Sequence, residues 1–186
     1  NELAEIFVDR TQNSWRPVRK LEVFANTFPQ VRGTYTRNRA FATATVPRIL
    51  GTSISNMNAV EINSLATGVF LNNDGKFTFK PLPDEAQLSP AFDICVADFD
   101  GDGVLDLFLA QNDFGVPARY SRYDSGRGLL LTGDGKGGFQ PQRGQRSGIT
   151  IYGEQRGAVV ADFNGDKKPD LAVTQRDAET KLYLKR

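Results

Sequence analysis

Asp98, Asp100, Asp102 and Asp106 stand at the first, third, fifth and ninth positions of one nine-residue stretch that lies between two apolar runs. Alternating carboxylates on a tight loop are the donors a hard cation wants, since Ca²⁺ takes about six to eight oxygens at roughly 2.3–2.6 Å. Gly101 and Gly103 permit the sharp, partly left-handed backbone such a loop needs, and Val104 is placed to add its carbonyl oxygen. The pattern returns in Asp162, Asn164, Asp166 and Asp170, again at positions one, three, five and nine, with Lys168 in the place of the carbonyl donor. Calcium is therefore the expected ligand of both loops.

Asp, Asn and Gly also build ordinary Asx turns without metal. Two such clusters in register argue for more than turns. Carboxylates held about 4–5 Å apart repel by roughly 1–4 kcal/mol per pair at effective dielectrics of 80 to 20, so the first loop is poorly designed unless an ion sits in it. In the second loop Lys167 stands where the first has Gly103 and brings a positive charge close to the expected ion, which predicts weaker binding there. A helix–loop–helix calcium hand would need a bidentate Glu at the twelfth position. Leu109 and Val173 occupy those positions, inside apolar runs too short for helices. These runs, and the equally short runs Ile94-Cys95-Val96-Ala97 and Ala158-Val159-Val160-Ala161 ahead of the loops, read as strands. Each loop is thus expected to join two antiparallel strands.

The elements around the loops repeat as well. Gly68-Val69-Phe70-Leu71-Asn72-Asn73-Asp74-Gly75-Lys76-Phe77 matches the stretch from Gly128 to Phe139, which carries a two-residue glycine insertion. Both read as hairpins, their Asp-Gly tips supplying the positive φ that such turns demand. Loops and hairpins recur at offsets of about 60 residues, within the range where internal repeats signal propellers or solenoids. Four antiparallel strands per repeat predict a mainly β protein made of the four-stranded blades of a partial β-propeller. Gly68 to about Lys80 gives the outer hairpin of one blade, Phe92 to about Gln142 a whole blade, and Gly157 to Leu184 three strands of another.

Residues 1–66 do not follow the repeat, and are expected to form an irregular, partly helical segment, an insertion or cap, ahead of the propeller repeats of residues 67–186. Thr45 to Gly51 predicts a short helix, with Pro47 early and Gly51 just past its end. Arg37-Asn38-Arg39 predicts a surface turn, and Val60-Glu61-Ile62-Asn63 alternates as a strand start would.

Composition excludes several functions. A net charge of +1 gives no case for nucleic-acid binding, and no apolar run is long enough to span a membrane. The absence of His removes Ser-His-Asp and Cys-His nucleophile systems and His-ligated zinc. Cys95 is the only cysteine, so no disulfide forms within the chain, and its apolar setting predicts a small buried residue. Asn1 in the place of an initiating Met predicts that the sequence is part of a longer product.

The motifs Val96-Ala97-Asp98-Phe99-Asp100-Gly101-Asp102-Gly103 through Asp106-Leu107, and Val160-Ala161-Asp162-Phe163-Asn164-Gly165-Asp166 through Asp170-Leu171, resemble the FG-GAP or VCBS-type repeats of integrin α-subunit propellers and of many bacterial secreted proteins. The resemblance covers about residues 67–186 and implies Ca²⁺ loops between the first two strands of each blade. Lys167 departs from the usual Gly of that family. The expected function is a non-catalytic, calcium-binding propeller segment, serving as a binding, adhesion or structural module outside the cytoplasm, extracellular or periplasmic. A carbohydrate-binding propeller, with Tyr120, Tyr123 and Tyr152 as candidates, and the accessory domain of a larger secreted enzyme are the alternatives. Open blade edges predict association with the remaining blades of a longer chain or with further copies of this one.

Overall fold

The computed structural model describes residues 6–9, 14–17, 20–56, 58, 62, 64–116 and 120–186. The chain is mainly β, with antiparallel sheets of two to four strands and several short helices. It divides into two compact units, Asn1–Ile62 and Asn63–Arg186. Most of the expected strand start at 60–63 lies outside the described residues.

The second unit is built around its most apolar run. Leu107-Phe108-Leu109-Ala110 lies within a strand whose six residues are all buried, as an uninterrupted apolar run requires of a strand covered on both faces. The unit comprises β3 (Gly68–Asn73), β4 (Lys76–Pro81), a helical turn α5 (Asp84–Gln87), β5 (Ala91–Ala97), β6 (Asp106–Gln111), β7 (Leu129–Gly133) and β8 (Phe139–Gln142), then a helical turn α6 (Gly144–Ser147), β9 (Gln155–Ala161), β10 (Asp170–Gln175) and β11 (Ala178–Tyr183). Three antiparallel sheets result: the hairpin β3-β4, the meander β5-β6-β7-β8 and the three-stranded β11-β10-β9. Among the described residues no sheet closes on itself.

Side chains of β6 alternate between two cores. Phe108 and Ala110 join Cys95, Leu130, Ile149, Ile151, Leu171 and Val173 on the side of β9 and β10. Leu107 and Leu109 join Leu82, Ala86 and Leu131 on the other side, with Val69 of β3 packed against them. The meander is therefore sandwiched between its neighbours, and its period of two decides which residue faces which. Each fully buried side chain such as Phe108 or Leu131 contributes about 1.5–3 kcal/mol. A polar tie adds to this packing: the Ala158 N–H of β9 donates to Asp93 Oδ2 of β5 at 2.8 Å.

Turn chemistry places the strand ends. Asp74 and Gly75 both have positive φ, 48° and 87°, the pairing a two-residue hairpin of matching twist requires. The later tip carries the glycine insertion, and the Asp134 N–H closes it on the Gly138 carbonyl at 3.0 Å.

In the first unit β1 (Ile6–Asp9) pairs antiparallel with β2 (Ser14–Pro17), followed by α1 (Leu21–Thr27), α2 (Val31–Thr34), α3 (Asn38–Ala42), α4 (Val46–Leu50) and a 3-10 helix at Gly51–Asn56. The helices enclose Phe24, Val31, Tyr35, Phe41, Val46 and Leu50, and the Tyr35 and Phe41 rings meet edge to face at 5.8 Å. Here α4 follows its local signals, with Pro47 in its first turn and Gly51 at φ 55° beyond its end. The expected turn at Arg37-Asn38-Arg39 is corrected: Arg37 precedes the first turn of α3, which buries Phe41 in the core. A non-local contact has overridden a local composition of basic and amide residues.

Candidate metal centre

Both acidic loops leave the end of one strand and enter the next: residues 98–105 join β5 to β6, and residues 162–169 join β9 to β10. Across the mouth of each loop the strands remain paired, Ala97 with Asp106 and Ala161 with Asp170. The ninth-position aspartates are thereby the first residues of β6 and β10, and both are buried, 0 % and 1 % exposed.

The loops hold their shape through their own carboxylates. In the first, Asp98 Oδ1 accepts the N–H groups of Gly101 at 2.6 Å and Asp102 at 3.1 Å, while Oδ2 accepts that of Gly103 at 2.9 Å. Asp100 accepts the Asp102 N–H and Asp102 accepts the Val104 N–H. Asp106 Oδ2 accepts the Phe99 N–H at 2.8 Å. The second loop repeats every one of these bonds. Asp162 accepts from Gly165, Asp166 and Lys167, Asn164 from Asp166, Asp166 from Lys168, and Asp170 from Phe163.

These bonds favour the charged form of Asp98 and Asp162. The Gly103 N–H, followed by that of Gly101, the charge of Lys185 and the Asp102 N–H, holds the Asp98 carboxyl below the ordinary carboxylate value against the opposing effect of desolvation. The Lys167 N–H does the same most strongly for Asp162, where desolvation again opposes it and the Gly165 N–H assists. Both groups therefore stay anionic at neutral pH.

Enough donor capacity remains for a cation. An ionised carboxylate offers about four lone-pair sites. The hydrogen bonds described occupy three on Asp98, one on Asp100, one on Asp102 and two on Asp106. Oxygens of Asp98, Asp100 and Asp106 lie within 4.8 Å of one another, a spread that one ion with bonds of roughly 2.3–2.6 Å can bridge. The donor set thus fits a divalent, oxygen-seeking cation. Asp102 stands outside that group, and the acids of the second loop form no such group among the described residues.

The structure adds partners that the sequence reading missed. Asp106 Oδ1 accepts the Gly133 N–H of β7 at 2.9 Å, and Asp170 Oδ1 accepts the Lys185 N–H at 2.8 Å. Gly133 and Lys185 are therefore equivalent, each lying two residues beyond the partner of Leu107 or Leu171 in the neighbouring strand. A side chain at Gly133 would collide with the Leu105 carbonyl oxygen, so close approach of the two backbones requires glycine there. Lys168 adds a further charge, its ammonium 4.0 Å from Asp166 Oδ2.

Glu154, outside the loops, serves the scaffold: 4 % exposed, it accepts the Phe114 N–H at 2.9 Å and is bonded to Arg156. Burial, with Asp93 nearby, pushes the Cys95 thiol up and leaves it unreactive.

Stacked antiparallel sheets that carry equivalent acidic loops at equivalent strand ends define a repeat protein. Residues 59–109 match the family model of the FG-GAP-like repeat, so the chain carries a repeat of that family. The matched stretch contains the hairpin β3-β4, the whole first loop and most of β6. No curated protein and no solved structure gives a match.

Proposed function

We propose that the chain is a calcium-binding segment of a β-propeller, a non-catalytic binding, adhesion or structural module that works outside the cytoplasm. The observation that carries this reading is the convergence of Asp98, Asp100 and Asp106 within 4.8 Å on a loop whose backbone is already hydrogen-bonded. In the first loop Asp98, Asp100, Asp102, Asp106 and the Val104 carbonyl would hold the ion. Asp162, Asn164, Asp166, Asp170 and the Lys168 carbonyl would do so in the second. Calcium supplies no reaction here; it neutralises crowded carboxylates and pins β5 to β6 and β9 to β10. Millimolar calcium outside cells suits loops of this kind, whose extracellular examples have dissociation constants of about 10⁻⁴–10⁻³ M.

Both outer faces of the sheet stack favour association with further blades, of a longer chain or of another copy. On the hairpin Phe70 is 66 % and Phe77 64 % exposed. On the last sheet Val159, Ala172 and Leu182 lie side by side in register, Val159 and Leu182 about half exposed. Carbohydrate is the second reading of the ligand, favoured by the exposure of Tyr120, Tyr123 and Tyr152. Arg127 lies over the Tyr152 ring at 5.3 Å, which makes that ring part of a polar surface. Calorimetric titration with CaCl₂ tests the main reading: heat of binding with saturation is expected, and its absence up to several millimolar would refute it.

A further inference from the structure

Lys185 stands where the other repeat has glycine. Both residues donate their backbone N–H to the buried ninth-position aspartate of their own sheet, Gly133 to Asp106 and Lys185 to Asp170. Gly133 ends there. Lys185 continues into a side chain that reaches the first loop: its Nζ lies 3.4 Å from the point where a side chain on Gly101 would begin. Its charge also acts on Asp98. One end of this residue is thus fixed to the second loop and the other is a cation beside the first.

We propose that the Lys185 ammonium is a tethered counter-charge of the first loop that weakens calcium binding there and stabilises the loop when calcium is withdrawn. The proposal rests on the reading of the first loop as a calcium site. A unit charge beside the loop that would hold a divalent ion opposes that ion by an amount that bulk-like screening reduces but does not abolish. Removing the charge should tighten calcium at the first loop by roughly three- to tenfold. The same removal should lower the melting temperature in chelator, because Asp98 then loses the cation that acts on it.

The test compares wild type with Lys185→Gln, Lys185→Arg and Lys181→Gln. Lys181 pairs with Glu179 on β11 and controls for net charge. Calcium titration calorimetry is expected to show tighter binding for Lys185→Gln alone, with Lys185→Arg near wild type. Melts in EDTA should rank Lys185→Gln lowest, and saturating calcium should close the gap. Equal calcium affinity of Lys185→Gln and wild type, or the same gain in Lys181→Gln, would overturn the proposal and leave the calcium site standing. Absence of calcium heat in every variant would overturn both.

Discussion

At the sixth position of the first acidic loop stands Gly103, at φ 86°, and at the sixth position of the second stands Lys167, at φ 65°. Fourth positions agree as well, Gly101 at 89° and Gly165 at 82°. Backbone path and hydrogen bonds are therefore the same in both loops, while their charges differ. The first loop has four aspartates and the Lys185 ammonium nearby. The second has three aspartates, Asn164, a left-handed lysine and the Lys168 ammonium at 4.0 Å from Asp166. Loop geometry is thus separable from loop charge: positions one, five and nine are Asp in both loops, whereas position three changes from Asp100 to Asn164 and position six from Gly103 to Lys167 with the hydrogen bonds unchanged.

The largest effect expected from this comparison lies at the shared positions. Asp106→Ala would leave the Phe99 and Gly133 N–H groups without their acceptor, and Asp170→Ala the Phe163 and Lys185 N–H groups. A buried donor deprived of its partner costs about 1–3 kcal/mol, so each variant should lose roughly 2–5 kcal/mol in denaturant unfolding followed by circular dichroism. Similar losses at both sites would support a common scaffold. A loss confined to one would break the equivalence.

Backbone strain comes next in size. A non-glycine residue in the left-handed region costs roughly 1–2 kcal/mol, so Lys167→Gly should stabilise the protein by about 0.5–1 kcal/mol after the added freedom of the unfolded chain is deducted. Gly103→Lys should destabilise by a similar amount. Melting curves in EDTA measure both without interference from metal.

A smaller effect concerns acid. The Asp98 and Asp162 carboxyls lie below their ordinary value of 3.8 in the folded chain. A depressed folded-state pKa contributes stability that is fully present above the ordinary carboxylate value and is lost as pH falls through the folded one. Stability in metal-free buffer should therefore decline below about pH 4, and Asp98→Asn should flatten part of that decline. An acid limb unchanged in both Asp98→Asn and Asp162→Asn would show that the backbone N–H bonds do not set these charges.

Loops, flanking strands and hairpin tips were legible in the sequence because they rest on local signals. Alternating acids, apolar runs of four residues, and Asp-Gly pairs each act over fewer than ten positions, and Lys167 could be placed at the glycine position by alignment alone. What was hidden is non-local. Gly133 lies 27 residues from the aspartate it bonds and Lys185 only 15 from its own, because the segment between β6 and β7 has no counterpart between β10 and β11. Sequence spacing therefore conceals their equivalence. The hairpin β1-β2 and helix α3 were not read from the first unit, where short elements lean on a shared aromatic core around Phe24 and Phe41 and carry weak periodicity of their own. The role of Asp93 is hidden for the same reason, since its bond to Ala158 spans 65 residues.

On a common backbone, charge is expected to rank the two loops for calcium. Calorimetric titration of wild type, Asp100→Ala and Asp166→Ala tests this most directly, since each substitution removes one non-buried carboxylate from one loop. Two unequal sites are expected, with the tighter one abolished by Asp100→Ala and only the weaker one affected by Asp166→Ala. In thermal melts calcium at about 100 times the dissociation constant of one site should add roughly 2.7 kcal/mol, most of it lost in Asp100→Ala, with magnesium a poor substitute because of its strict octahedral shell. Equal affinities at the two loops, or a tighter site that survives Asp100→Ala, would contradict it.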